Sequence, residues 1–464
     1  MTFSRRREIW LLLLVFIILT LGYAVVWQAY LPAWRILYHG NDRLIFLAPG
    51  VMLVAWVLTS ITLSVRRCGE TLLIPLIALL IGLGLLFILR LAGGTYTFLN
   101  IEEGNHLFGQ YQKQLISFGV SWAVLMGMIL LWRDYRSLAR YKYLLAMTAV
   151  VLLLITTAFG HVIGGQTLAL NLGPITFQPH DPVKLLLVVF MAAYLVEKQE
   201  LISFAAGKYG LLTRMDFRYM GPLVALWIMV MAIIFRHGDL GAALLLFGAL
   251  LGMLYLGTSR KIYVYTGLAL FIIGGIAAFT LSGGAQKTAH GQTRNRIQTR
   301  IAIWLNPWDG KDPDGTPTVE GKGYQITQSL IAIGNGRAVG AGLAGGAPER
   351  IPAIHTDMIY AAISEDLGLV GAIAVLCVFL TLIGRIFSVS LRTGDPFGKL
   401  LAAGLGLTLA LQTWVILAGV LKLIPLTGIT LPFVSYGGTS LFVNLVLIGI
   451  VLKIAEVSRD EVAE

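Results

Sequence analysis

Long apolar runs separated by short polar breaks fill almost the whole of this 464-residue chain. A bilayer core is about 30 Å thick, so a helix needs about 20 apolar residues to cross it. Such runs occur near 10–27, 45–65, 72–90, 115–132, 144–160, 183–196, 220–235, 240–257, 262–281, 358–384, 399–420 and 437–454. They predict an all-α integral membrane protein with twelve spanning helices. The runs near 183–196 and 220–235 are short, so the pattern leaves their ends undefined. The long hydrophilic stretch 282–357 breaks the pattern. It runs into Ile351-Pro352-Ala353-Ile354-His355-Thr356-Asp357 and leaves Asp357 at the mouth of an apolar helix. A carboxylate set against lipid is costly and is a functional-site hypothesis by default.

Composition agrees with a bilayer. The chain is 57% hydrophobic and 13% charged, against roughly 25% charged for a soluble domain. A net charge of +11 would suit a nucleic-acid binder, but the cations alternate between loops and no nucleic-acid partner is expected. They cluster at Arg5–Arg7, Arg66-Arg67, Arg133–Lys142, Lys198–Arg218, Arg260-Lys261 and Arg385–Lys399, whereas 161–182 has none. The positive-inside rule then predicts cytoplasmic termini and an extracytoplasmic 282–357, long loops being exempt from the rule. The first span reads as an anchor rather than a cleaved signal. Cys68 and Cys377 fall at different levels and predict no disulfide. No CxxC, HExxH or Walker-type loop is present. The chain reads as one membrane domain, with residues 1–66 an extra helical pair ahead of a ten-helix body over 67–464.

Four polar groups interrupt the apolar pattern. The first is His355-Thr356-Asp357. If 356–384 is helical, Thr356 can cap it and Asp357 lies in its first turn. There the acid either complements the helix dipole, worth about 0.3–1 kcal/mol, or acts as a general base whose pKa an apolar surface raises. The second group is Gln178-Pro179-His180-Asp181-Pro182-Val183-Lys184. Asp181 and Lys184 share a helix face and either neutralise each other or let Lys184 meet an anionic headgroup. The third is the turn Arg236-His237-Gly238-Asp239, a plain hairpin or the lining of a cavity. The fourth runs from Pro425 to Ser440 and includes Ser435-Tyr436-Gly437-Gly438. Its prolines and glycines predict a broken helix, which membranes tolerate only inside protein or along a cavity. By the predicted topology all four groups face one extracytoplasmic compartment.

Several of these segments resemble the SEDS family (shape, elongation, division and sporulation), over roughly 70–455. Gly323-Tyr324-Gln325 with Gln328-Ser329 is similar to that family's GYQ…QS segment. Pro352 to Asp357 resembles LPE-x-HTD, Glu365 to Gly368 resembles EELG, and Pro425 to Ser440 resembles the PLTG-LPF-SYGG run. The resemblance implies a peptidoglycan glycosyltransferase that polymerises lipid II onto an undecaprenyl-linked glycan strand. It would work beside a class B penicillin-binding protein in the bacterial cytoplasmic membrane. It carries the family's essential acid to Asp357, its QPSE-x-x-K motif to Gln178, Asp181 and Lys184, and its PDLG turn to Asp239. Arg236, His355, Gln325, Ser435, Tyr436, Gly437 and Gly438 complete the expected substrate site. Asp181, Gly238, Ala353 and Asp366 depart from the family pattern. No cofactor is implied with certainty; a divalent cation is left open, with no ligand cluster to hold it. Two other functions fit the same residues: a flippase for lipid-linked precursors, and a scaffold without catalysis.

Overall fold

The structure is a computed structural model that describes residues 3–38, 42–66, 68–163, 166–172, 175–205, 217–237, 239–269, 300–301, 303–308 and 323–463. Gly238, Lys208, Arg214 and most of 282–322 lie outside the described residues. Among the described residues, nine helices are long and apolar enough to cross a bilayer. The pattern of apolar runs placed them correctly. They include α1 (Phe3–Ala29), α3 (Leu47–Val65), α4 (Leu73–Phe98), α5 (Ile101–Leu131) and α7 (Lys142–Phe159). The short helices α2 (Leu31–Leu37) and α6 (Ser137–Arg140) sit in two of the connections. The short runs correspond to α8 (His180–Ala205), which also carries Lys184, Glu197 and Lys198, and α9 (Phe217–His237). α10 (Leu240–Thr258) follows, and the next run is helical over its described part, 261–269. After α11 (Tyr324–Gly336) come α12 (Ile359–Arg392), α13 (Pro396–Val420) and α14 (Gly438–Ala463).

One polar connection carries strands. Three strands form an antiparallel sheet: β1 (His161–Ile163), β2 (Gln166–Leu172) and β3 (Ile175–Phe177), with β2 in the middle. Ala169 pairs with His161, and Phe177 pairs with Leu170. This small sheet adds to an otherwise helical architecture.

The chain forms two compact units. The first contains 1–133, 302–385 and 412–464, and the second 134–301 and 386–411. In the first unit, α5 begins at Asn100, whose side-chain oxygen accepts the Glu102 N–H at 2.8 Å. Glu102 and Glu103 then lie at the positive end of the helix dipole.

Two interruptions distinguish the first unit from a plain bundle. α12 is broken at Gly368, where φ is 68° and ψ is −171°. Only glycine adopts that backbone without strain. Residues 421–437, between α13 and α14, are not helical. The break expected from Pro425 to Ser440 is therefore present.

Candidate active site

Asp357 lies two residues before α12 rather than inside its first turn. Its N–H donates to Ala353 O at 3.2 Å, and the Thr356 hydroxyl donates to the same carbonyl at 3.0 Å. Thr356 therefore closes a turn and does not cap the helix; the expectation of a Thr356 cap is corrected. Ala353, at φ 51°, bends the chain there. The acid is partly exposed, and its carboxylate faces Gly428.

The turn is tied to the non-helical segment 421–437. Ser435 Oγ donates to Thr356 O at 2.5 Å and accepts the Leu431 N–H at 2.9 Å. The Tyr436 N–H donates to His355 O at 2.8 Å, and the His355 and Tyr436 rings lie 5.7 Å apart. Gln114 Oε1 accepts the Gly437 N–H at 3.1 Å. Gln325 Nε2 donates to Pro352 O at 3.0 Å. The sequence candidates Gln325, His355, Asp357, Ser435, Tyr436 and Gly437 thus meet in one place. Gly438 adjoins it against α5, where a Cβ would come within 2.6 Å of the Ser117 hydroxyl. Burial, with a smaller effect from His106, pushes His355 down to about 4, so its ring is neutral at pH 7. Burial also raises the Tyr436 phenol. The Ser435 hydroxyl gives its proton and one lone pair to backbone, which suits holding the turn.

A second cluster in the same unit was not foreseen. Arg90, on α4, is fully buried. Its guanidinium reaches Asp366 Oδ2 at 2.7 Å, Glu349 Oε2 at 2.5 Å and Gly346 O at 2.7 Å. A planar fork with several donors suits this task better than an ammonium would. Around it, the loop 337–342 repairs the broken α12. Ala341 and Gly342 donate to Glu365 O and Asp366 O at 2.9 and 3.0 Å, and Leu369 and Val370 donate to Arg337 O and Ala338 O at 2.9 and 3.1 Å. The backbone groups freed by the kink thus find partners, as apolar surroundings require. A Cβ on Gly368 would come within 2.2 Å of Gly340 N. Arg90 was visible as a lone cation in a 26-residue apolar helix, which was the missed signal.

The remaining candidates belong to the second unit. Lys184 is buried and donates to Asp181 at 2.8 Å, the local ion pair that the spacing allowed. Asp239 caps α10 by accepting the Ala242 N–H at 2.9 Å, and its other oxygen lies 3.9 Å from His180 Nε2. His180 and His237 meet edge to face at 5.5 Å, and His237 Nε2 lies 2.8 Å from the Thr157 hydroxyl. Burial, with smaller effects from His180 and Arg236, pushes His237 down to about 4. The second and third polar groups thus form one cluster. Gln178 precedes α8, and Arg236 is exposed. Lys184 also ends an apolar cleft between α8, α9 and α10 that holds about 370 Å³ of atom-free space, open solvent included, lined by Phe190, Trp227 and Leu246 among others. Among the described residues, no group of three or more His, Cys, Asp or Glu is placed to hold a metal ion.

Residues 70–460 match the profile of the cell cycle protein family FTSW_RODA_SPOVE, the SEDS proteins. The chain belongs to that family. This SEDS protein is 36% identical over 404 residues to the peptidoglycan glycosyltransferase RodA of Mycobacterium tuberculosis, covering 86% of this chain and 81% of its relative. It is 33% identical over 345 residues to the probable peptidoglycan glycosyltransferase FtsW of Geobacter sulfurreducens, covering 74% and 83%. Its fold is similar to a chain of a peptidoglycan synthase complex, with a TM-score of 0.62 at 23% identity over 84% of this chain and 98% of the other. The rod shape determining protein RodA of Thermus thermophilus aligns with a TM-score of 0.52 at 20% identity, over 84% and 96%. The apolar helices and the family together make it a multi-pass membrane protein.

Proposed function

We propose that this SEDS protein is a peptidoglycan glycosyltransferase that polymerises lipid II on the outer face of the bacterial cytoplasmic membrane. Asp357 is its general base. It accepts the proton of an acceptor sugar hydroxyl as that oxygen bonds to the anomeric carbon and inverts it. The bond to the lipid pyrophosphate breaks at the same carbon. Base catalysis of this kind contributes about 10²–10⁴-fold. The leaving pyrophosphate gathers negative charge and calls for cations; Lys184 and Arg236 are the candidates that the sequence offers. A divalent cation would serve the same purpose. Both termini are cytoplasmic in this reading, and a class B penicillin-binding protein crosslinks the product.

The observation that carries this reading is the tethering of the Asp357 turn to the 421–437 segment through Ser435 and Tyr436. A base must be held to within a fraction of an ångström of its substrate to work. The peptidoglycan glycosyltransferase activity named for relatives at 36% and 33% identity supports the substrate class.

The rival reading is a flippase, favoured by two helix interruptions and the buried Arg90–Asp366 pair, since transporters bind at broken helices. Proteoliposomes holding the purified chain and fluorescent lipid II distinguish the two. Glycan strands that lysozyme digests support polymerisation. Movement of lipid II between leaflets without polymer supports the flippase.

A further inference from the structure

Residues 1–66 precede the 70–460 span shared with the family, yet they are built into the first unit. Trp122 of α5 donates its indole N–H to Ala55 O at 3.1 Å and to the Thr59 hydroxyl of α3 at 2.9 Å. The end of the pair that matters most is the junction of α1 and α2. There Tyr30 and Trp34 are buried, at 1% and 0% exposure. The Trp34 indole N–H donates back to Val26 O at 3.0 Å, which fixes the angle between the two helices. The two rings meet edge to face at 6.2 Å.

This aromatic pair lies on α4 one turn beyond Arg90. A Cβ on Gly93 would come within 2.6 Å of the Trp34 ring and 2.8 Å of the Tyr30 ring, so only a glycine lets them settle there. The next residue, Gly94, faces the ion pair itself: a Cβ on it would meet the Arg90 guanidinium at 3.0 Å and the Glu349 carboxylate at 3.1 Å. Tyr30 is raised to about 12, by burial first, with Arg90, Glu349 and Asp366 all within electrostatic reach. Further down α1, a Cβ on Gly22 would lie 3.7 Å from the Leu343 side chain, in the loop that follows the repair of α12.

Charged groups attract strongly only where water is kept away. Arg90 grips Glu349, eight residues before Asp357, and Asp366, nine residues after it. One guanidinium thus holds the chain on both sides of the Asp357 turn, and the aromatic pair packs on the next turn of its helix. We propose that Tyr30 and Trp34 are positioning residues for the Asp357 turn. They act by excluding water from the Arg90 clamp, so residues 1–66 serve as a built-in support of the active site. The inference rests on the reading of Asp357 as the base, and it also makes a prediction independent of activity.

The test uses the full-length purified chain, because deleting 1–66 would strip buried faces from α4 and α5. Trp34→Ala removes the seal, Trp34→Phe keeps a ring on Gly93, and Trp10→Ala alters an exposed residue of α1 as a control. Backbone hydrogen exchange is followed at 337–350 and 365–370, with α14 as internal reference. Initial rates are followed against lipid II concentration. Trp34→Ala should speed exchange in both segments but not in α14. It should lower kcat by about 10- to 100-fold with KM within about twofold, as misplacement of a catalytic group does. Trp34→Phe should recover most of both, and Trp10→Ala should match the wild type. Unchanged exchange at 337–350 and 365–370 in Trp34→Ala overturns the proposal, as does a raised KM with unaltered kcat. Faster exchange in a chain whose wild type makes no glycan strands supports the clamp and refutes the polymerase reading instead.

Discussion

Replacing Ser435 by alanine tests how the catalytic turn is held. Ser435 is 4% exposed, and its hydroxyl bridges Thr356 O and the Leu431 N–H. Alanine removes both bonds and adds nothing. Leu431 is 1% exposed, so its N–H loses its partner where water cannot replace it, at a cost of about 1–3 kcal/mol. The Thr356 carbonyl is closer to water, and losing its bond costs about 0.5–1.5 kcal/mol net. The sum is about 1.5–4.5 kcal/mol, part of it borne by global stability and part by local release of the turn. The Tyr436 N–H still holds His355 O, so the turn loosens without detaching. If about 2 kcal/mol of this falls on the placement of Asp357, kcat for lipid II polymerisation drops about 30-fold. KM should stay close to wild type, since the hydroxyl's proton and one of its lone pairs are already held by backbone. Threonine at 435 keeps the hydroxyl and should restore part of the rate. The assay is the initial rate of strand formation from labelled lipid II, with the unfolding midpoint measured on the same preparation. A Ser435→Ala protein with wild-type kcat and an unchanged midpoint would refute the bridge as a positioning device. A change confined to KM would show that the hydroxyl binds substrate.

The Arg90 clamp and the buried histidines give two further predictions. Arg90→Met leaves Asp366 and Glu349 buried without their cation, which costs about 3–5 kcal/mol; Arg90→Lys keeps the charge but loses the fork and should fall between Arg90→Met and wild type in a thermal size-exclusion assay. An Arg90→Met midpoint equal to wild type would contradict the clamp. His355 and His237 titrate near 4 in the folded chain against 6.5 when unfolded, both chiefly from burial. Between those values the unfolded chain binds more protons, so stability is complete above about pH 6.5 and falls as pH drops, by at most about 1.4 kcal/mol per pH unit for each ring. Unfolding midpoints at pH 7.5, 6.5, 5.5 and 4.5 check the sign; a midpoint that is flat or rises toward acid would refute it.

The fold was legible wherever a single physical rule decided it. A helix that crosses lipid must be apolar for its whole length, so α1, α3, α4, α13 and α14 stand out from composition alone. The break at 421–437 was legible because Pro425, Gly428 and Pro432 cannot sit quietly in a helix. The break at Gly368 was not. Its sequence surroundings read as continuous helix, and the hydrogen bonds that make the kink stable come from 337–342, a segment distant in sequence. The sheet at 161–177 was read as a loop although Leu168, Leu170 and Leu172 alternate with Thr167, Ala169 and Asn171, and Gly164-Gly165 separates its first two strands in sequence.

The candidate site shows the same division. Local spacing gave the Asp181–Lys184 pair, while the Asp239 cap came only from the structure. Family motifs gave the residues around Asp357. Ser435 was singled out for the right segment, but its role came only from the structure, because a hydroxyl between two buried backbone groups has no signature in one dimension. The Arg90–Glu349–Asp366 clamp joins positions more than 250 residues apart; Arg90 and Asp366 each stood out as a charge inside an apolar run, but nothing in one dimension paired them.

In the proposed reaction Asp357 accepts the proton during glycan polymerisation. The most direct measurement compares wild type, Asp357→Asn and Asp357→Ala as purified, monodisperse proteins given labelled lipid II at saturating concentration. Asparagine keeps the shape of the side chain and removes its basicity. Both variants should bind lipid II with about wild-type affinity and lose about 10²–10⁴-fold in rate, the contribution of a general base. Normal glycan strands from either well-folded variant would contradict the assignment.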